Sequence, residues 1–148
     1  MTGFEEMEIL LAEDSDEDAE LTLRALKRGN IVNKLVRVKD GAEALDFLFC
    51  DGEFKGRKGG NPRLVLLDLK MPRMDGIDVL KAIRSDERTR AIPVVMLTSS
   101  AEERDLVESY RLGVNSYLVK PVETEQFFDV VTRAGQYWML VNQTPPLA

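Results

Sequence analysis

Short apolar runs alternate along this chain with longer segments in which apolar residues recur at helical spacing. The runs of strand length occupy residues 9–12, 35–38, 64–67, 93–97 and 116–119. Between and after them, apolar positions three or four residues apart predict helices over 16–28, around 44–48, and over 77–84, 102–112 and 123–141. The pattern therefore predicts five strands and five helices in alternation.

Alternating strands and helices are typical of α/β proteins with one parallel sheet, because each helix returns the chain to the same end of the sheet. The run at 64–67 is continuously apolar, as in strands that are covered on both faces. Ser15 is placed to cap the first helix and Gly29 to end it, and Asp40-Gly41 predicts a turn before the second helix.

The length of the chain agrees with one domain. Its 148 residues suffice for one hydrophobic core and leave no room for a second domain. We expect the domain to span residues 1–148, with its core within 7–141 and a C-terminal tail over 142–148. Residues 51–62, DGEFKGRKGGNP, predict a Gly-rich, basic and exposed loop.

Charge and residue types exclude several classes of function. The net charge is −6 without a run or stripe of lysine and arginine, so we expect no direct nucleic-acid binding. No stretch approaches the ~18 apolar residues that cross a bilayer, and the N-terminus lacks the pattern of a signal peptide. Cys50 is the only cysteine, and histidine is absent. We therefore expect a cytoplasmic protein with a protein partner, without membrane contact or histidine-based chemistry.

Five polar residues follow the predicted strands. They are Glu13, Asp14, Asp68, Thr98 and Lys120. Each alone has a simple structural explanation, such as a carboxylate beside the positive end of a helix dipole. In parallel α/β sheets, however, the working site lies beyond the carboxyl ends of the strands. The coincidence of all five at one edge therefore favours a functional site.

The residue types at this edge are suited to phosphoryl chemistry. Carboxylates of Glu13, Asp14 and Asp68 packed together repel one another unless a cation such as Mg²⁺ lies between them, and Mn²⁺ or Ca²⁺ could substitute. With the charge screened, a carboxylate can attack phosphorus and form an acyl phosphate. An ammonium from Lys120 and a hydroxyl from Thr98 can then bind the phosphoryl oxygens. Backbone N–H groups of the loop that begins at Ser99 can serve a third oxygen.

Four segments carry a resemblance to a known family. They read ILLAED at 9–14, LLDLKMPRMDG at 66–76, MLTS at 96–99 and YLVKP at 117–121. In order and spacing they resemble the response-regulator receiver family over roughly residues 7 to 141. The resemblance implies a flavodoxin-like (βα)5 fold, in which a doubly wound, five-stranded parallel sheet is flanked by helices.

The resemblance also implies a function. A histidine kinase would transfer its phosphoryl group from phosphohistidine to Asp68. Mg²⁺ would be held by Asp14, Asp68 and the backbone carbonyl of Lys70, with Glu13 acting through water. Thr98 and Tyr117 would then switch the surface of the fourth helix, fifth strand and fifth helix. Such a domain catalyses only its own phosphorylation and dephosphorylation and is not otherwise an enzyme.

Two further features point to one subgroup of this family. The loop at 51–62 and the C-terminal sequence QYWMLVNQTPP are similar to those of the small response regulators that pair with bacterial phytochrome-type histidine kinases. Since most relatives carry a further domain and this sequence stops at Ala148, we expect a stand-alone receiver. It would act by docking to a protein partner or by relaying phosphate.

The last predicted helix is apolar on more than one face. Phe127, Val131, Ala134 and Trp138 fall at the spacing of a sheet-facing stripe. A second set on other faces favours a homodimer interface along this helix; its members are Phe128, Tyr137, Leu140 and Val141. The alternative is that the C-terminal tail folds back over them.

Other functions remain open at this point. The chain could be a phosphorelay intermediate or a degenerate receiver that serves as a scaffold, although all five site residues are present. A haloacid-dehalogenase-like phosphohydrolase would need a second aspartate where Lys70 stands, and a flavodoxin-like cofactor binder would need a phosphate loop after the first strand.

Overall fold

The sheet and its helices follow the predicted alternation. The computed structural model describes residues 8–28, 34–58, 60–121 and 123–141. Its strands are β1 (Glu8–Ala12), β2 (Lys34–Val38), β3 (Leu64–Leu67), β4 (Val94–Thr98) and β5 (Ser116–Val119). All neighbouring strands pair in parallel, in the order β2-β1-β3-β4-β5. The predicted α/β fold with a flavodoxin-like, doubly wound sheet is confirmed.

Four α-helices connect the strands and a fifth follows β5. They are α1 (Asp16–Arg28), α2 (Gly41–Phe49), α3 (Gly76–Ser85), α4 (Glu103–Arg111) and α5 (Thr124–Gln136). A 3₁₀ turn at Gly52–Phe54 follows α2, and a π-helical turn at Tyr137–Val141 continues α5. Within the described ranges, no helix has the length and apolarity needed to cross a bilayer.

The core consists of two layers, one on each face of the sheet. Along β1, Leu10 and Ala12 face the layer beneath α2 and α3, whereas Ile9 and Leu11 face the layer beneath α1 and α5. Phe47 of α2 is a large, fully buried side chain of the first layer. Because both faces of the central strands are covered, β1, β3 and β4 are buried throughout.

Side-chain caps fix where the helices begin. The Ser15 hydroxyl accepts the N–H of Asp18 at 3.2 Å, as predicted for the start of α1. The chain bends at Asp40, as predicted, and α2 begins directly at Gly41, with Asp40 capping the helix by accepting the N–H of Glu43 at 2.8 Å. Gly29, the predicted helix stop, lies outside the described residues.

Most described residues of the segment at 51–62 are exposed, as predicted, but two of its side chains are anchored to α2. Arg57 is half-buried, with its guanidinium 4.0 Å above the ring of Phe47 and its Nε donating to the carbonyl of Phe47 at 2.8 Å. Phe54 packs edge-on against the same ring, with centroids 5.2 Å apart. An aromatic and a cationic contact therefore anchor this segment to α2.

The C-terminal end of α5 departs from the predicted stripe. Phe127 and Val131 are buried as expected, but the next buried side chain at this end is Met139, whereas Ala134 and Trp138 are only half-buried. A π-helical turn is wider than an α-helical turn, so residues farther apart in sequence share a face. Met139 therefore occupies the core position that the 3.6-residue period assigns to Trp138.

Candidate functional site

Four strands end at one edge of the sheet and bring the predicted polar residues together. These are Glu13 and Asp14 after β1, Asp68 after β3, Thr98 at the end of β4 and Lys120 after β5. Backbone bonds extend the ladder past the strand ends, since the N–H of Asp68 donates to the carbonyl of Ala12 at 3.0 Å and that of Lys120 to Thr98 at 2.8 Å. The sheet itself thus holds these residues side by side.

Three carboxylates form a compact acidic cluster at this edge. One oxygen each of Glu13, Asp14 and Asp68 lies within 4.8 Å of the others. Glu13 and Asp68 are buried, at 2% and 7% exposure, whereas Asp14 is exposed. The buried Oδ1 of Asp68 accepts no hydrogen bond from the described residues, which for a charged atom costs at least about 1–3 kcal/mol. This oxygen-rich cluster fits a divalent cation, which would relieve the repulsion and bind the unpaired oxygen.

Lys120 supplies the positive charge of the site. Its Nζ lies 2.6 Å from Oε1 of Glu13, 2.8 Å from Oδ2 of Asp18 and 3.5 Å from Oδ2 of Asp68. The side chain is only 8% exposed. The contact with Asp18 was not predicted, and its only signal in the sequence is the acidic first turn of α1.

Burial and charge shift the protonation of this cluster. Burial raises the pKa of Glu13 to about 7, with the neighbouring Asp68 adding to the rise and the hydrogen bond from Lys120 opposing it. Burial tends to lower the pKa of Lys120, but hydrogen bonds to Asp18 and Glu13 and the charge of Asp68 outweigh it and leave that pKa raised. The ammonium therefore stays charged, while burial, assisted by the charge of Asp68, favours proton uptake at Glu13.

Thr98 and Tyr117 both contact the loop after β4. The buried Thr98 hydroxyl accepts the N–H of Ser100 at 3.2 Å. The half-buried Tyr117 donates its hydroxyl to the carbonyl of Ser100 at 2.9 Å, and burial raises its pKa. Ser99, proposed from the sequence as a backbone donor, lies exposed between them. The two predicted switch residues are thus joined through one peptide segment.

The loop between β3 and α3 is docked by contacts that the sequence did not reveal. Arg73 has a φ of 64°, a left-handed conformation that is costly for a residue with a Cβ, and its guanidinium forms an ion pair with Asp40. A Cβ at Gly76 would collide with the carbonyl oxygen of Asp68, so only glycine fits there. Lys70, whose carbonyl the resemblance assigns to the metal, is exposed in this loop.

Arg37 fixes the turn that carries the first two carboxylates. Its Nε donates to the carbonyl of Glu13 at 2.8 Å, and its guanidinium forms a 2.8 Å ion pair with Asp16. The hydrogen bond from Arg37 lowers the pKa of Asp16. The sequence shows Arg37 only as a polar residue within a predicted strand, and neither of these contacts was predicted from it.

The predicted dimer residues lie on different sides of α5. Phe128 faces α1, where the Arg28 guanidinium lies 5.9 Å from its ring centroid. Tyr137, half exposed, lines a groove beside β5 together with Leu118. The side chains of Leu140 and Val141 lie outside the described part of the chain. Phe128 and Tyr137 are therefore not brought onto one continuous surface.

Curated proteins of known family resemble this chain over most of its length. The model of the response regulator receiver domain matches residues 9–132. The probable methanogenesis regulatory protein FilR2 of Methanothrix harundinacea is 41% identical over 93% of this chain and 86% of its own. Response regulator Rcp1 of Synechocystis sp. is 39% identical over 88% of each chain.

Solved structures give the same result. The phosphorylated cyanobacterial phytochrome response regulator RcpA superposes with a TM-score of 0.89 at 36% identity, covering 96% of this chain and 100% of its own. The Mn²⁺-bound form of Rcp1 superposes with a TM-score of 0.87 at 37% identity, covering 95% of this chain and 99% of its own. The bacteriophytochrome response regulator RtBRR superposes with a TM-score of 0.77 at 51% identity, covering 96% of this chain and 86% of its own. These likenesses confirm the predicted resemblance, including its phytochrome-associated branch.

Proposed function

This chain belongs to the response regulator receiver domain family, and from that premise we propose that Asp68 accepts a phosphoryl group from the phosphohistidine of a histidine kinase. One observation carries the proposal. Asp68 is a buried carboxylate with an unpaired oxygen, beside two further carboxylates and the Lys120 ammonium. The test is whether acetyl phosphate and Mg²⁺ add one phosphoryl group to the native chain, as measured by intact mass.

Asp14, Asp68 and the backbone carbonyl of Lys70 would hold the Mg²⁺, and Glu13 would contact it through water. Mn²⁺ or Ca²⁺ could substitute, in keeping with the Mn²⁺-bound form of the related Rcp1. When bound, the cation neutralises the repulsion among the carboxylates and the charge of the incoming phosphoryl group.

The chemical step is an in-line displacement at phosphorus. A carboxylate oxygen of Asp68 forms a bond to phosphorus while the bond from phosphorus to the histidine nitrogen breaks, and the nitrogen leaves with the electron pair. Charge then spreads over the three phosphoryl oxygens. The Lys120 ammonium, the Thr98 hydroxyl and the backbone N–H of Ser99 are the groups that would bind them.

The backbone of Ser100 would transmit the effect of phosphorylation from the site to the protein surface. Thr98 holds the N–H of Ser100, and Tyr117 holds its carbonyl. If Thr98 turns to the phosphoryl group, the N–H of Ser100 loses its acceptor, and the loop that Tyr117 contacts must rearrange. Exposed large apolar side chains lie on α4, which follows this loop, and on β5, whose Tyr117 contacts it; they are Leu106, Val107 and Tyr110 on α4 and Val119 on β5. This surface is where a partner protein would dock.

The relatives support a histidine kinase of the phytochrome type as the phosphoryl donor. Rcp1, RcpA and RtBRR are all response regulators, and the descriptions of RcpA and RtBRR name a phytochrome or bacteriophytochrome. The output would be a protein contact in the cytoplasm rather than DNA binding. We expect no turnover of an external substrate, because the acceptor that the described residues present is a carboxylate of the chain itself, Asp68.

Mg²⁺ affinity should increase with pH up to about 7 and then become constant. Burial raises the pKa of Glu13 to about 7 from an ordinary 4.5. A raised carboxyl pKa means that the metal-free fold retains a proton that the unfolded chain has released. The stabilisation of the metal-free fold by this proton is therefore complete below pH 4.5 and is lost as the pH rises through about 7. Within that window a cation must displace this proton.

Calorimetric titration with Mg²⁺ from about pH 5 to about pH 8 measures this dependence. Glu13→Gln is the matched control, because it cannot titrate and should show a flatter profile. An unchanged affinity across the range for the native chain would count against the raised pKa.

We also propose that the chain forms a homodimer through the C-terminal helix region, on the side that carries Tyr137. Tyr137→Asp should give a monomer, because a charge would have to be buried in an apolar contact. Gln136→Asp places the same charge one residue earlier, on the Phe128 side, and should leave the dimer intact. Sedimentation velocity distinguishes the two; a native chain that is monomeric, or a Tyr137→Asp dimer, contradicts the proposal.

A further inference from the structure

We propose that Asp18 is a positioning residue that sets where the Lys120 ammonium lies relative to Asp68. The inference rests on the proposed phosphorylation of Asp68 and adds a control over its rate. Lys120 Nζ is 2.8 Å from Asp18 but 3.5 Å from Asp68, so the ammonium is drawn away from the phospho-acceptor. Glu13, at 2.6 Å, forms the second short contact of the ammonium.

The first turn of α1 leaves the Asp18 carboxylate free for this contact. Ser15 and Asp18 stand three residues apart, as in a capping box, where the third helical residue would normally accept the N–H of the cap residue. Here that N–H donates to Oε2 of Glu13 at 3.2 Å instead. Only one of the two hydrogen bonds of a capping box is therefore formed, the one from the N–H of Asp18 to the Ser15 hydroxyl. The Asp18 carboxylate contacts Lys120 instead.

The three N–H donors of the ammonium are matched by three carboxylates. Two short bonds fix the nitrogen, and the third donor points along the longer contact to Oδ2 of Asp68. A close ion pair with Lys120 would neutralise Asp68 and weaken it as a nucleophile. At its longer distance, the ammonium leaves room for a phosphoryl oxygen, and Asp18 holds it ready to bind one.

Without Asp18, two effects act in the same direction. The ammonium loses a short bond on the α1 side and moves onto Asp68, which becomes less nucleophilic. It also loses the anchor that orients it toward the incoming phosphoryl group. A purely electrostatic role predicts the opposite, because removing a negative charge lessens the repulsion of an anionic donor.

The test is the rate of labelling by acetyl phosphate with saturating Mg²⁺, followed by intact mass. Asp18→Ala should be about ten-fold slower than the native chain, because the ammonium is misplaced. Asp18→Asn, which keeps an acceptor oxygen without the charge, should fall between the two. Glu17→Ala, which removes an exposed carboxylate from the same turn, should change the rate by less than about two-fold.

The effect must act through Lys120. In a Lys120→Met background, Asp18→Ala should no longer slow labelling, as a double-mutant cycle would show. An Asp18→Ala chain that labels at the native rate or faster overturns the inference. So does a slowing of the same size in the Lys120→Met background.

A second measurement separates this inference from the proposed function. The ¹⁵N resonance of the Lys120 ammonium, identified by its loss in Lys120→Met, should shift in Asp18→Asn and remain in place in Glu17→Gln. This signal requires no phosphate. If the native chain takes up no phosphoryl group, the proposed function fails, whereas an unmoved resonance in Asp18→Asn overturns the positioning role alone.

Discussion

Asp68→Asn should abolish labelling by acetyl phosphate in the presence of Mg²⁺, whereas the native chain gains one phosphoryl group. The substitution keeps the size of a side chain that is 7% exposed, but an amide oxygen is not a nucleophile toward phosphorus. It also removes a charge from a cluster that has more carboxylates than cations, so the variant should remain folded. Intact mass measures the gain, and circular dichroism verifies the fold.

Asp78→Asn is the matched control, because Asp78 is an exposed aspartate in the first turn of α3 and should leave labelling unchanged. The added group should be released by hydroxylamine, as expected for an acyl phosphate and not for a phosphoserine. Labelling that persists in Asp68→Asn, or that resists hydroxylamine, would show that another residue is the acceptor.

Asp14→Asn should weaken Mg²⁺ binding by about 100-fold, because loss of even an outer partner of a metal site costs roughly 10- to 100-fold in affinity. Labelling at low Mg²⁺ should fall with it, and a chelator should stop labelling of the native chain. Asp14 is the exposed member of the acidic cluster, so its loss leaves no cavity. Calorimetry with Mg²⁺ gives the affinity.

The sign of a stability change distinguishes this loss of a ligand from damage to the fold. Without metal, Asp14→Asn should unfold at the same temperature as the native chain or higher, because one repelling carboxylate is gone. With Mg²⁺ present the order should reverse, since the cation stabilises only the form that binds it. Glu17→Gln should follow the native chain under both conditions. An Asp14→Asn variant that binds Mg²⁺ as tightly as the native chain would refute the assignment of Asp14 as a ligand.

Much of the fold could be predicted because its signals are local. The runs at 9–12 and 64–67 are apolar without interruption, and each is followed directly by an acidic residue. The ends of parallel strands lie at one edge whatever the details of packing. Ser15 was a reliable cap for the same reason, since its contact with Asp18 lies within one helical turn.

The remaining features depend on contacts across the fold that local sequence does not specify. Several acidic residues in the first turn of α1 could have met Lys120, and only the packing of α1 selects Asp18. Arg73 in its left-handed conformation pairs with Asp40 across 33 positions of sequence. The π-helical turn that places Met139 in the core breaks the period on which the prediction for α5 relied.

The span of the Lys120–Glu13 contact has a consequence for biosynthesis. The two residues are 107 positions apart, and β5, which places Lys120, is the last strand of this sheet in chain order. Strand pairing over such separations is slow compared with local helix formation. A nascent chain that ends before β5 would contain the phospho-acceptor but lack its ammonium. Under the proposed function, full competence for phosphorylation should therefore arise only after β5 has been synthesised and has paired with β4.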